Sequence, residues 1–321
     1  MTLFGKTQDG QDVHVITLRA GDIRVNVLTW GAAIQDVRID GVDRSLTLGS
    51  DKLQDYEGTM GHHGTLIGPI ANRISTARVR LDGMMFELER NQDGRIHLHS
   101  GADATHRQVW KLRDQSADRV TLTLDLADGA CGLPGNRQID VTYRVSAPAT
   151  LTMEVTGTTD SKTCMNFANH SYWNLDGGDS YTGHHLQINA DHYLPITDDA
   201  CPTGEIAAVD GTPMDFRQGQ RLGPDQPALD HNFCLSDAQC DLRDVLHLTG
   251  QSGITMRLGT TQAGLQIYDG RGARRPGRPT YEGLAIEAQD WPDAPNNPAF
   301  PSIIITPEKP YRQMTRWSFQ R

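Results

Sequence analysis

Short runs of alternating apolar and polar residues, each stopped by turn-forming residues, constrain this chain more than any other feature. Residues 13–18, 23–28 and 79–81 follow a period of two. So do 120–126, 139–145, 151–155, 186–188, 245–248 and 254–258, and each run lies a few residues from Gly, Asp, Asn or Pro. A period of two puts successive side chains on opposite faces of a strand, so each run has one side for a core and one for water. The 32 glycines and 16 prolines are spread along the chain, which suits many turns and few helices. No window of about fifteen residues carries a 3.6-residue apolar stripe with caps at both ends. The pattern predicts an all-β protein, a large antiparallel β-sandwich. Neither a repeat period nor a linker divides it, so one domain is expected over residues 1–321.

The 321 residues are 37% hydrophobic, enough for a large core. The formal net charge of -10 repels phosphate backbones and argues against a nucleic-acid partner. No stretch approaches the ~18 uninterrupted apolar residues of a transmembrane helix. The first residues lack a basic segment followed by an apolar run, so no signal peptide is expected. Cys131, Cys164, Cys201, Cys234 and Cys240 are odd in number and form no C-x-x-C pair, which reads as reduced thiols of a cytoplasmic protein. There is no phosphate-binding glycine loop, no dinucleotide fingerprint and no nucleophile elbow.

Chemistry concentrates in five places. The segment NFANHSYWNLDG, 166–177, sets His170 among Phe167, Tyr172, Trp173 and several asparagines. Aromatic faces stack on the C–H side of sugar rings, amides bond hydroxyls, and a histidine can give or take a proton. The same composition also fits a buried histidine that holds a loop. Glu287 lies in the apolar run 283–288, where a carboxylate is costly unless it is paired or held for a reaction. Asn72 and Arg73 follow an apolar stretch in GPIANRIS; Arg73 offers a rigid fork for hydroxyls or for a structural carboxylate. His97 and His99 in RIHLHSG would share a face of a strand, yet the surroundings lack the acidic partner of a metal motif, and no metal is expected. Asp230 in ALDHNFCL suits sugar hydroxyls, a histidine partner or a local turn cap. The pairs His62–His63 and His184–His185 would point to opposite faces if extended and support no assignment.

In order, these pieces resemble the aldose 1-epimerase (galactose mutarotase) family: Asn72-Arg73, His99 in LHSG, His170 in NHSYWNL, Asp230 in DHNF, Gln266 in GLQIYDG and Glu287 in IEAQDWPDA. The likeness runs from about Phe4 to Phe319. It implies the family's β-sandwich (the galactose mutarotase-like supersandwich) with an open cleft, exchange of the α and β anomers of a free sugar, and no cofactor. It also implies that Glu287 is the base and His170 the acid, while Asn72, Arg73, His99, Asp230 and Gln266 bind hydroxyls or orient that pair. His170 is expected to start protonated and Glu287 ionised, with Asp230 reinforcing the charged state. The partner is then a small sugar, and the protein a monomer or homodimer.

The chain departs from the family in three ways. Pro69 stands where an arginine often precedes Asn-Arg, and LHGG becomes LHSG. The stretch after Tyr268 reads YDGRGARRPGRPTYEG, with Arg271, Arg274, Arg275 and Arg278 ahead of Glu287. Those arginines read as a solvated basic loop, or as a device that favours an acidic or phosphorylated sugar. A sugar-binding regulator without catalysis is the remaining alternative.

Overall fold

The computed structural model describes residues 1–223 and 226–321. Its backbone is strands and turns; the one α-helix described is the five-residue Leu53–Glu57. Three antiparallel sheets dominate. A four-stranded meander runs through Thr2–Lys6, Asp12–Ala20, Ile23–Leu28 and Ile34–Ile39. A nine-stranded sheet has Arg137–Ser146, Thr150–Thr159 and Tyr311–Gln320 near its middle. A six-stranded sheet orders Tyr172–Trp173, Leu284–Gln289, Gly264–Tyr268, Asp230–Cys234, His192–Tyr193 and Ala207–Ala208. All their pairings are antiparallel, so the expected class holds.

The period-two runs become strands with one buried face. In Arg137–Ser146, Ile139, Val141, Tyr143 and Val145 are buried, while Gln138 and Arg144 are exposed. A single apolar cluster then joins the sheets, drawing Val25 from the meander, Val141 and Trp317 from the large sheet, and Trp173, Leu265, Ile267 and Ile286 from the third. The indoles of Trp173 and Trp317 lie 6.0 Å apart across that junction. Burying each large side chain contributes about 1.5–3 kcal/mol.

Leu284–Gln289 differs from the other strands because all six of its residues are buried. It lies inside the six-stranded sheet, paired on both edges. Leu284, Ile286 and Ala288 face the apolar core. Alternation sends Ala285, Glu287 and Gln289 to the other face, where they are also buried. No described helix is long and apolar enough to cross a membrane.

Candidate active site

The register of the six-stranded sheet builds the floor of the site. Gln266 lies opposite Glu287, and Asn232 opposite Gln266. The three side chains therefore form a row on one face, with Asp230 two residues from Asn232 on that same face. Gln266 Nε2 donates to Asp230 Oδ1 at 2.7 Å. Arg73 Nη1 donates to Asp230 Oδ2 at 3.3 Å, and its Nε to Gln92 Oε1 at 2.9 Å. The arginine fork is thereby held flat beside the acidic groups, at the mouth of a cleft of about 730 Å³.

His170 arrives from the other wall. It sits between Ala168–Asn169, which pairs with Leu66–Ile67, and Tyr172–Trp173, which pairs with the Glu287 strand. Its backbone N–H donates to the Thr65 carbonyl, and its carbonyl accepts from Gly64 N–H. Its Nε2 stands 3.5 Å from Glu287 Oε1. His170 Nδ1, Glu287 Oε2 and Gln266 Oε1 are buried without a hydrogen-bond partner among the described residues.

Burial works against charge pairing at this depth. Desolvation, reinforced by the Asp230 charge, holds the Glu287 carboxyl well above its ordinary range; Arg73 opposes the shift. Desolvation, with help from His62 and His63, holds His170 well below 6.5. Burial works against the expected resting state of protonated His170 beside ionised Glu287 and pushes each group toward its neutral form. The negative charge of Asp230 adds to the upward push on Glu287.

His99 is buried at a φ of 50°, a left-handed conformation that is rare for histidine. Its Nδ1 accepts the Asn72 N–H at 3.1 Å, and Asn72, also left-handed at 62°, caps the Arg73 N–H with its own Oδ1. A neutral ring that accepts at Nδ1 carries its proton on Nε2, so His99 is a donor. The same break corrects the expected His97–His99 pairing: the strand ends at Leu98, and His97 bonds the Glu89 carbonyl instead of lining the cleft. Ring nitrogens of His62, His99 and His170 do lie within 4.8 Å of one another. A metal there would need the Nε2 of His99 without its proton while Nδ1 still accepts, so the donor set does not fit one.

The seven residues singled out in the sequence converge: six line the cleft, and Gln266 lies beneath, bonded to Asp230. His62, His63 and His106 were missed. Residues 58–64 form turns, not a strand, so both rings of the His62–His63 pair reach the cleft. His63 stacks on Tyr172 with centroids 4.3 Å apart, and His62 on His170 at 5.5 Å. His184 is structural: its Nε2 accepts the Leu175 N–H.

The arginine loop divides. Arg275 and Arg278 both pair with buried Glu282, and Arg278 also with Asp179. Arg271 alone lines the cleft, and Asp269 holds it at 2.6 Å.

The family model for aldose 1-epimerase matches residues 14–318. The chain belongs to the aldose 1-epimerase family. A galactose mutarotase from Bos taurus is 32% identical, with 96% of this chain and 94% of that protein covered. The aldose 1-epimerase of Escherichia coli K12 is 31% identical, covering 97% and 96%. Among solved structures, an aldose epimerase homologue from C. elegans superposes with a TM-score of 0.89 at 26% identity, covering 96% of this chain and 99% of that one. A galactose 1-epimerase from Lactobacillus acidophilus gives 0.86 at 27%, covering 98% and 97%. The chain is thus an enzyme of the isomerase class, as its family resemblance implied.

Proposed function

We propose that this chain, working as one domain, is a mutarotase that exchanges the α and β anomers of a free aldose, with Glu287 as base and His170 as acid. The observation that carries the reading is the 3.5 Å approach of His170 Nε2 to Glu287 Oε1 at the base of the cleft. The two oxygens that exchange protons in ring opening, O1 and O5, sit on one carbon. The groups that serve them must be close neighbours, and these are.

In the forward half, the Glu287 carboxylate takes the O1 proton. The C1–O5 bond breaks as C1=O1 forms, and O5 takes a proton from His170. The chain form turns about C1–C2. O5–H then attacks the other face of the aldehyde, His170 recovers its proton, and Glu287 returns one to O1. No proton is gained or lost overall. The open aldehyde coincides with protonated Glu287 and neutral His170, the state that burial favours. Burial therefore works in favour of the intermediate, in which both groups are neutral. Each acid or base role contributes typically ~10²–10⁴-fold.

Arg73, Asp230, Gln266, Asn72 and His99 are the hydroxyl-binding and orienting groups in this reading. Arg73 and Asp230 offer a donor and an acceptor side by side, a match for neighbouring hydroxyls. The alternative of an acidic or phosphorylated sugar has support only from Arg271, whose fork Asp269 already engages. Polarimetry of freshly dissolved α-glucose, α-galactose and arabinose, with a uronic acid and a sugar phosphate alongside, tests the assignment. Faster loss of rotation for a neutral sugar is expected. Acceleration confined to the charged sugars would overturn it.

A further inference from the structure

His62 takes no part in the exchange as drawn above, yet it stands beside the group that protonates O5. One ring nitrogen of His62, one of His99 and one of His170 lie within 4.8 Å of one another, and all three residues line the cleft. A point between three atoms so spaced is at most about 2.8 Å from each, which is a hydrogen-bond length. A single oxygen can therefore meet all three rings. The His62 ring is held in place from several sides. Thr65 donates to the His62 carbonyl from its N–H at 3.3 Å and from its Oγ1 at 3.0 Å. The ring stacks on His170 with 25° between the planes, and it meets His99 and His106 edge-on at 4.9 and 5.1 Å between centroids. Its nitrogens bond nothing among the described residues. Both ring nitrogens of His63 are sealed from solvent, whereas half-buried His62 keeps its own open on the cleft wall.

We propose that His62 is a further catalytic residue, a third N–H donor to the ring oxygen O5 that acts with His99 and His170 as the C1–O5 bond breaks. The inference rests on the mutarotase reading of the cleft, in which His170 serves O5. In the closed sugar O5 is an ether oxygen with two lone pairs, enough for two donors. When C1–O5 breaks, the bonding pair stays on O5, which then has three lone pairs and a growing negative charge. Three N–H groups match that species better than they match the closed ring, and only such a difference in binding speeds the step. His170 hands its proton to O5, while His62 and His99 keep theirs and go on donating. The states of the two helper rings suit this role. His99 carries its proton on Nε2, because its Nδ1 accepts the Asn72 N–H. Burial, reinforced by Arg107, lowers the His62 pKa to about 4, so near neutral pH the ring is uncharged and keeps one N–H.

The test measures mutarotation of glucose by wild type, His62→Phe and His62→Gln. Phe keeps a stacked ring and removes both nitrogens, whereas Gln keeps an N–H. His62→Phe should lower kcat for glucose at least about tenfold with KM within about twofold, and His62→Gln should recover part of the loss. The same comparison on 5-thioglucose puts sulfur, a weak acceptor, in place of O5; there His62→Phe should cost less than about threefold. Urea unfolding accompanies each variant, and His62→Ala carries the comparison of the two sugars if the Phe variant does not fold. Wild-type kcat in His62→Phe, a rise in KM alone, or equal losses on glucose and 5-thioglucose would overturn the role of His62. A wild-type enzyme that accelerates no sugar would instead overturn the mutarotase reading.

Discussion

Replacing Glu287 by Gln separates the chemistry of this carboxyl from its cost to the fold. Glu287 is 2% exposed, and burial raises its pKa well above the ordinary 4.5. The folded chain therefore keeps this proton at pH values where the unfolded chain has lost it. As pH rises past 4.5, that difference removes about 1.4 kcal/mol of stability per pH unit, until the folded-state carboxyl itself ionises. Gln has nearly the same shape and stays neutral, so the variant escapes the loss. Its advantage over wild type should grow by about 1.4 kcal/mol per pH unit above 4.5. The lowered pKa values of His62, His63, His99 and His106 act in the opposite sense, removing stability as pH falls below 6.5. They do so in both proteins and cancel in the difference. Urea unfolding of the pair between about pH 5 and pH 8 measures it. The same variant should lose ~10²–10⁴-fold in kcat with little change in KM. Parallel stability profiles would refute the burial argument, and undiminished mutarotation would refute the base.

Three further outcomes follow from the geometry. In sugar-free enzyme, the His170 ring should be neutral at pH 6.5 and protonate only well below it; an NMR titration with its midpoint at the ordinary value would contradict the burial of this ring. Gly64 sits at a φ of 72°, and a Cβ there would lie 2.1 Å from the Ile34 carbonyl oxygen. Gly64→Ala should therefore cost at least about 2 kcal/mol in urea unfolding and lower kcat, because Gly64 also anchors the His170 carbonyl. Arg275→Ala should leave KM for neutral sugars unchanged while costing about 3 kcal/mol, since it strips one of two partners from buried Glu282; a large KM change would put that arginine in the cleft after all.

The strands were legible because alternation is a local property. The nine period-two runs match strands whose ends differ by two residues or fewer, apart from 151–155, whose strand runs on to Thr159. The pairing partners were not legible, since the same alternation fits many neighbours. The order of motifs pointed to the site. It did not reveal that residues from five separate stretches face one cleft, which is decided by strand register.

His170 and Glu287 were legible as residues, and their ionisation was not. Sequence reasoning paired opposite charges, whereas the folded chain desolvates both groups and pushes each toward its neutral form. His62 and His63 show the same limit. As an extended pair they would face apart, and only the turn at 58–64 brings both rings to the cleft. What the sequence determined alone is the all-β class, the family and the residues proposed for the site, because these rest on local pattern and motif order. The tertiary structure decided how deeply the pair is buried and which arginines of the loop are held by buried carboxylates. Each of those depends on burial and on distances between residues far apart in the chain.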